Sequence, residues 1–207
     1  MFQSFYRFQA AFSTIQWAAI AVVGVVLNFW ATDVLNAAYA ASGFPVPYWE
    51  AQLSFDHLKL KGWYRALIES EGVDLYLHAQ YVDFLFIASV LVLHLAVLVL
   101  VSRMLPAASK ARSVMIWAAL LSSLAPVLDA LENLVSFVML AEPLSFEPTL
   151  ALIYSTFAAG KFVMFTFAYV AAPVGVIWAL YSRFSLARRQ ESARPNQSFK
   201  RTPDGAA

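Results

Sequence analysis

Asp129, Glu132 and Asn133 are the only ionisable or carboxamide side chains between Arg112 and Glu142. Their spacings of three and four put them on one face of a helix, and Ser122 and Ser136 extend that stripe in both directions. Two carboxylates held side by side can bind a cation, pass a proton, or serve as general acid and base. Lys161 is the lone charge between Glu147 and Arg183. Both sets sit in apolar surroundings, where an ionisable group is costly and is found either paired or at work.

A depth argument tests whether they can meet. With the third apolar run centred near Val127 and the fourth near Thr166, Glu132 and Lys161 each lie five residues outward, about 7–8 Å at 1.5 Å per residue. An ion pair from Lys161 to Glu132 or Asp129 is therefore expected. Asn28 in the first run falls at about the same level, and Asp33 nearer the outer surface. Asp83 opens the second run at an outer mouth, and His94, eleven residues on, lies nearly on the same face close to mid-membrane, where it could relay protons. Five or six polar groups are thus expected to converge on the outer half. Bland readings stand beside these. Asp33 and Asp83 can be solvated helix ends, His94 a packing residue, and the Asp129/Glu132/Asn133–Lys161 set a glue between helices.

These residues owe their setting to four apolar runs. Apolar residues make up 61% of the chain and charged ones only 13%, against about 45–50% and about 25% in soluble domains. A hydrocarbon core about 30 Å thick takes about 20 helical residues to cross. Runs at about 12–36, 83–102, 114–140 and 150–181 satisfy this. Unpaired backbone groups are excluded from lipid and the runs do not alternate, so helices rather than barrel strands are expected. The expected fold is all-α: an integral membrane four-helix bundle over residues 1–182, followed by a basic disordered cytoplasmic tail over 183–207. Pro126, one turn before Asp129, predicts a local kink. Ala171 and Gly175 have the small-xxx-small spacing that lets helices approach closely.

Charge asymmetry sets the orientation. The connection between runs two and three carries Arg103, Lys110 and Arg112 without an acid, and the tail is rich in Arg and Lys. The connection between runs three and four has Glu142 and Glu147 without a base, and the long connection between runs one and two carries more acids than bases. Short basic loops stay in the cytoplasm, so both termini are expected inside. Ala38-Tyr39-Ala40 has the form of a signal-peptidase site, but the apolar run before it exceeds the length of a signal core and contains Phe29 and Trp30, so a retained first helix is expected. The long outer connection is expected to hold a helix capped by Asp56 and stopped by Gly72. That helix either lies flat with Trp63 and its neighbours at headgroup depth or packs as a lid on the bundle. Pro45 and Pro47 break the chain before it, and Tyr48 and Trp49 suit an interface.

Leu128-Asp129-Ala130-Leu131-Glu132-Asn133, with Lys161 midway along the next helix and Asp83 opening the preceding one, resembles a broad group of uncharacterised bacterial four-helix membrane proteins that share a D-x-x-E-N pattern in the third helix. Gly62-Trp63-Tyr64-Arg65 more loosely resembles their first outer loop. The resemblance spans most of residues 10–181; it implies the topology, singles out these residues, and carries no activity. Residues 195–203 resemble the tails of open reading frames in integron gene cassettes, where recombination-site DNA is translated, which implies a stretch without selected function. Its Lys and Arg side chains would still attract anionic headgroups by about 1 kcal/mol each.

Three functions follow, in this order. The first is a binding or transport protein of the bacterial inner membrane, holding a small polar or cationic ligand; transport by so few helices would call for a homo-oligomer. The second is a non-catalytic accessory protein whose cluster is glue. The third is an intramembrane enzyme acting on a lipid or sterol through a buried carboxyl. No zinc motif, nucleophile elbow or phosphate loop occurs, so neither metal nor cofactor is expected. Cysteine is absent, which excludes disulfides and thiolate chemistry. The near balance of fourteen Lys/Arg and thirteen Asp/Glu gives no sign of a nucleic-acid partner; the expected partner is the lipid bilayer.

Overall fold

The computed structural model describes residues 2–192, and every regular element among them is a helix: α1 (Phe2–Ala11), α2 (Thr14–Ala41), α3 (Tyr48–Gln52), α4 (His57–Glu69), α5 (Val73–Met104), α6 (Lys110–Ser122), α7 (Leu124–Ala141) and α8 (Pro148–Ser192). Four segments are long and apolar enough to cross a bilayer: α2, α5, α6 with α7, and the first 38 residues of α8. Their outward surfaces are apolar. Val22, Val26, Phe29 and Trp30 of α2 and Val163, Val170, Val174 and Ile177 of α8 are exposed, while Asp129, Glu132, Asn133 and Lys161 are buried. A protein facing water does the reverse. The chain is a multi-pass, four-helix membrane protein.

Several expected boundaries move, each for an identifiable reason. Ser13 caps α2 through a capping box with Gln16, the Ser-x-x-Gln signature of a helix start. It ends the unforeseen α1, whose turn into α2 is tied down by Arg103 donating to Phe12 O (2.7 Å) and to Gln9 O. The second span starts at Val73 rather than Asp83, because Tyr76, Ala79 and Gln80 turn a buried face inward above the hydrocarbon. The third span is broken at Ser123. Pro126 cannot donate to residue i−4, which is Ser122, and its ring crowds that carbonyl. The kink expected beside the acids therefore falls nearly two turns before Asp129. Instead of giving way to a tail after Tyr181, α8 continues to Ser192. The rest of the expected tail, from 193 on, lies outside the described residues.

α5 is the centre of the bundle, packing on α2, α6, α7 and α8. Close approach depends on glycine. A Cβ on Gly24 would lie 3.1 Å from Leu93 Cα, and one on Gly175 would lie 2.5 Å from Val101 Cγ1. The small-residue site in the fourth span is thus a contact with α5 and α6. The inner half of the bundle is filled by Trp17, Ala21, Leu98, Val99, Met115 and their neighbours.

At 28 to 38 residues the spans are about 42–57 Å long at 1.5 Å per residue, well beyond a 30 Å hydrocarbon core. Their excess forms a second core on the outer side, where Phe44, Leu60, Tyr64, Leu67, Tyr76, Met139, Phe146 and Tyr154 pack together. α4 supplies Leu60, Tyr64 and Leu67 to it, so the outer helix is a lid on the bundle and not a surface-lying one. Asp56 caps α4 as expected, its carboxylate accepting from Leu58 N (2.8 Å). The stop differs in detail. Glu71 takes the left-handed conformation (φ 55°), and Gly72 N–H closes the turn on Leu67 O at 2.9 Å, the six-to-one bond of a Schellman motif. Gly72 is required by space, since a Cβ there would sit 2.3 Å from Ser42 O. Backbone cannot yield as a side chain does, so Gly72→Ala should cost about 1 kcal/mol, measurable as a lower midpoint of unfolding in detergent. The Ala38–Ala40 stretch is helical, with Tyr39 tilted against Phe44 and edge-on to Tyr48 and Tyr76.

Candidate functional site

Following each span outward, the last basic residue on the inner side and the first charged residue on the outer side bracket an apolar stretch: Arg7 and Asp33, Arg103 and Asp83, Arg112 and Asp129, Arg183 and Lys161. For α5 and α8 the bracketed stretches, 84–102 and 162–182, are about 28–31 Å long, the thickness of the hydrocarbon core. Asp83, Asp129 and Lys161 therefore stand at its outer boundary.

There they meet. The Lys161 ammonium donates to Asp129 Oδ1 at 2.6 Å and lies against the Glu132 carboxylate. Asn133 donates from Nδ2 to Asp83 Oδ2 at 2.7 Å. All five side chains are at least nine-tenths buried. They come from α5, α7 and α8, with Glu132 and Asn133 each bonding to a different neighbouring helix. From the lid, Tyr64 reaches the same group: burial pushes its phenol well above the ordinary value, Ser136 offsets part of this and the charge of Glu132 adds to it, so it stays protonated. Ser136 Oγ and Asn133 Oδ1 are buried without a hydrogen-bond partner.

Beside the ion pair lies a cavity of about 290 Å³, bounded by Asp83, Asp129 and Lys161. α2 lines it with Thr32, Leu35, Asn36 and Tyr39, a stripe at helical spacing; α5 adds Tyr76, Gln80 and Phe86, and α8 adds Phe162, Phe165, Thr166 and Tyr169. Tyr48 and Gln52 of α3 border it on the outer side. Gln52 and Gln80 line it with Oε1 atoms that have no hydrogen-bond partner, although both residues are more than nine-tenths buried. Such acceptors cost free energy unless something donates to them. The aromatic walls present ring faces that attract cations.

No family model, curated protein or solved structure matches this chain. The geometry alone speaks for the site.

Not every residue expected at the cluster belongs to it. Asn28 shares the depth but turns elsewhere, donating to Ser89 Oγ at 3.1 Å across the α2–α5 contact. Asp33 is exposed and does not line the cavity. Asp83 does line it, buried ten residues into α5 rather than at a helix start. His94 is buried with both ring nitrogens unpartnered and packs edge-on against Phe165 and Tyr169. It touches none of the carboxylates through a hydrogen bond, which fits packing and not a relay. Among the described residues there is no His/Cys/Asp/Glu group able to hold a metal. Gln52, Gln80, Tyr39 and Tyr76 escaped the sequence reading. Gln80 and Tyr76 stand one and two turns before Asp83, and assigning that stretch to a loop hid the shared face.

Proposed function

We propose that the cavity binds a small cationic ligand, an organic ammonium, and that the chain is a binding or transport protein of a bacterial inner membrane. The observation that carries this reading is the surplus of acid beside open space. Lys161 is taken up by Asp129 and Glu132, which leaves Asp83, steadied by Asn133, facing a cavity with two unpartnered amide oxygens and aromatic walls. Three carboxylates against one ammonium favour a cation. The apolar inner core below the cavity supports binding over passage in this conformation. The D-x-x-E-N resemblance, with Lys161 and Asp83, adds support for these residues as the defining ones of a group of bacterial membrane proteins.

The direct contact of Lys161 with both acids favours a second reading, structural glue. The two part company on Asp83→Asn. Tetramethylammonium binding to the purified chain in lipid nanodiscs, followed by isothermal titration, should weaken about tenfold or more, about 1.4 kcal/mol, while the unfolding midpoint changes little. Equal affinity in the two proteins would defeat the binding reading.

A further inference from the structure

The walls of the cavity come from helices that do not form a closed ring. α2 packs along α5, and α8 packs on α5, α6 and α7, whereas among the described residues α2 and α8 make no extensive contact with each other. Opposite α5 the cavity thus has no tightly packed helix pair behind it. On the outer side it is bordered by α3, whose Gln52 is buried and whose Tyr48 is exposed. On the inner side the bundle is packed shut. Most of the exposed lining lies sideways, between α2 and α8, where Asn36, Thr166 and Tyr169 are at once cavity-lining and exposed. That gap faces the bilayer, because the surfaces flanking it carry Val163 and Val170 on α8 and Val26 and Phe29 on α2, all exposed.

We propose that the ligand enters through this gap from the outer leaflet, and that it is an amphiphile: an alkylammonium head held by Asp83, with its hydrocarbon chain left in the bilayer between α2 and α8. The inference rests on the cation-site reading above and adds the route and the class of ligand. Three observations converge on it. The polar cluster stands at the outer boundary of the hydrocarbon, the level at which a lipid carries its head. The cavity, about 290 Å³, is at the lower limit of ligand pockets, about 300–1,000 Å³, so it accommodates a head but not a chain. Its lining changes from polar at Gln52, Gln80 and Asp83 to aromatic at Phe86, Phe162 and Phe165, the order an ammonium followed by methylenes would match.

The shared chemistry, a quaternary ammonium on an alkyl chain, occurs both in lipophilic amines and in phosphocholine lipids. The test uses the full chain in phosphatidylglycerol nanodiscs and a dodecyltrimethylammonium bearing a diazirine at the chain end. Photolysis followed by mass spectrometry should place adducts on the lipid-facing residues of α2 and α8, and excess tetramethylammonium or the Asp83→Asn substitution should reduce them about tenfold. The same chain carrying phosphocholine separates the sources: equal labelling assigns the lipid headgroup, and labelling about tenfold lower assigns a lipophilic amine. Competable adducts confined to α3, α4 and the cavity interior would overturn sideways entry while leaving the cation site standing. Adducts insensitive to both tetramethylammonium and Asp83→Asn would bring down the cation site itself.

Discussion

Lys161→Met should destabilise the protein by about 3–5 kcal/mol, the cost of removing one partner from a buried ion pair. Among the described residues its ammonium meets both the Asp129 and the Glu132 carboxylates, and Glu132 has no further polar partner there. Without it, two carboxylates stand together more than nine-tenths buried, and they must either take up protons or admit water. Methionine is close to lysine in length and apolar, so packing is nearly preserved and the loss is electrostatic. Removing the acids as well should restore most of the stability, because replacing a buried ion pair whole is often neutral. Unfolding in detergent of Lys161→Met, and of the same chain with Asp129→Asn and Glu132→Gln added, measures both effects. A stable single variant would show that the ion pair does not hold α7 to α8.

Gly24→Leu should detach α2. The position permits α2 to lie on the α5 backbone, with Leu93 Cα and N only 3.1 and 3.2 Å from where a Cβ would stand. Those are main-chain atoms, which cannot turn aside, and overpacking of this kind costs about 2–3 kcal/mol. Among the described residues α2 packs extensively on α5 alone of the spanning helices, so the consequence is local: one wall of the cavity, the stripe from Thr32 to Tyr39, moves away from Asp83. Cysteines placed at Asn28 and Ser89, now hydrogen-bonded across the interface, report on it directly, because the chain has no cysteine of its own. Cross-linking should be ready in the parent and suppressed once the Gly24→Leu substitution is added. Equal cross-linking in both would mean that α2 is held by something other than this close approach.

The site was partly legible before the fold. Asp129, Glu132 and Asn133 declare a face through their spacing, and linear depth brought Lys161 to the same level, because a helix converts residue number into height at a constant rise. Height is only one coordinate. Asn28 lies at the proper height and still binds Ser89 on the α5 contact, and His94 ends in a ring packing; the direction in which each points depends on how the helices rotate against their neighbours. Gln80 and Tyr76 were missed for another reason. Above the hydrocarbon a spanning helix no longer has to be apolar, so its continuation to Val73 leaves no hydropathy signal. Gln52 belongs to a helix of five residues whose contribution exists only once the lid is in place.

The amino-acid sequence by itself determines that four helices are long and apolar enough to cross a bilayer, and which few ionisable groups lie along them. Each of these depends on the transfer of individual residues between water and hydrocarbon, and that property is written along the chain. Only the tertiary structure decided that Asp83 joins Asp129 beside a cavity, that α4 is a lid, and that α2 and α8 stand apart. Those outcomes come from close helix contacts at glycines, from the break forced by Pro126 and from the outer aromatic core, where residues distant in the chain compete for the same space.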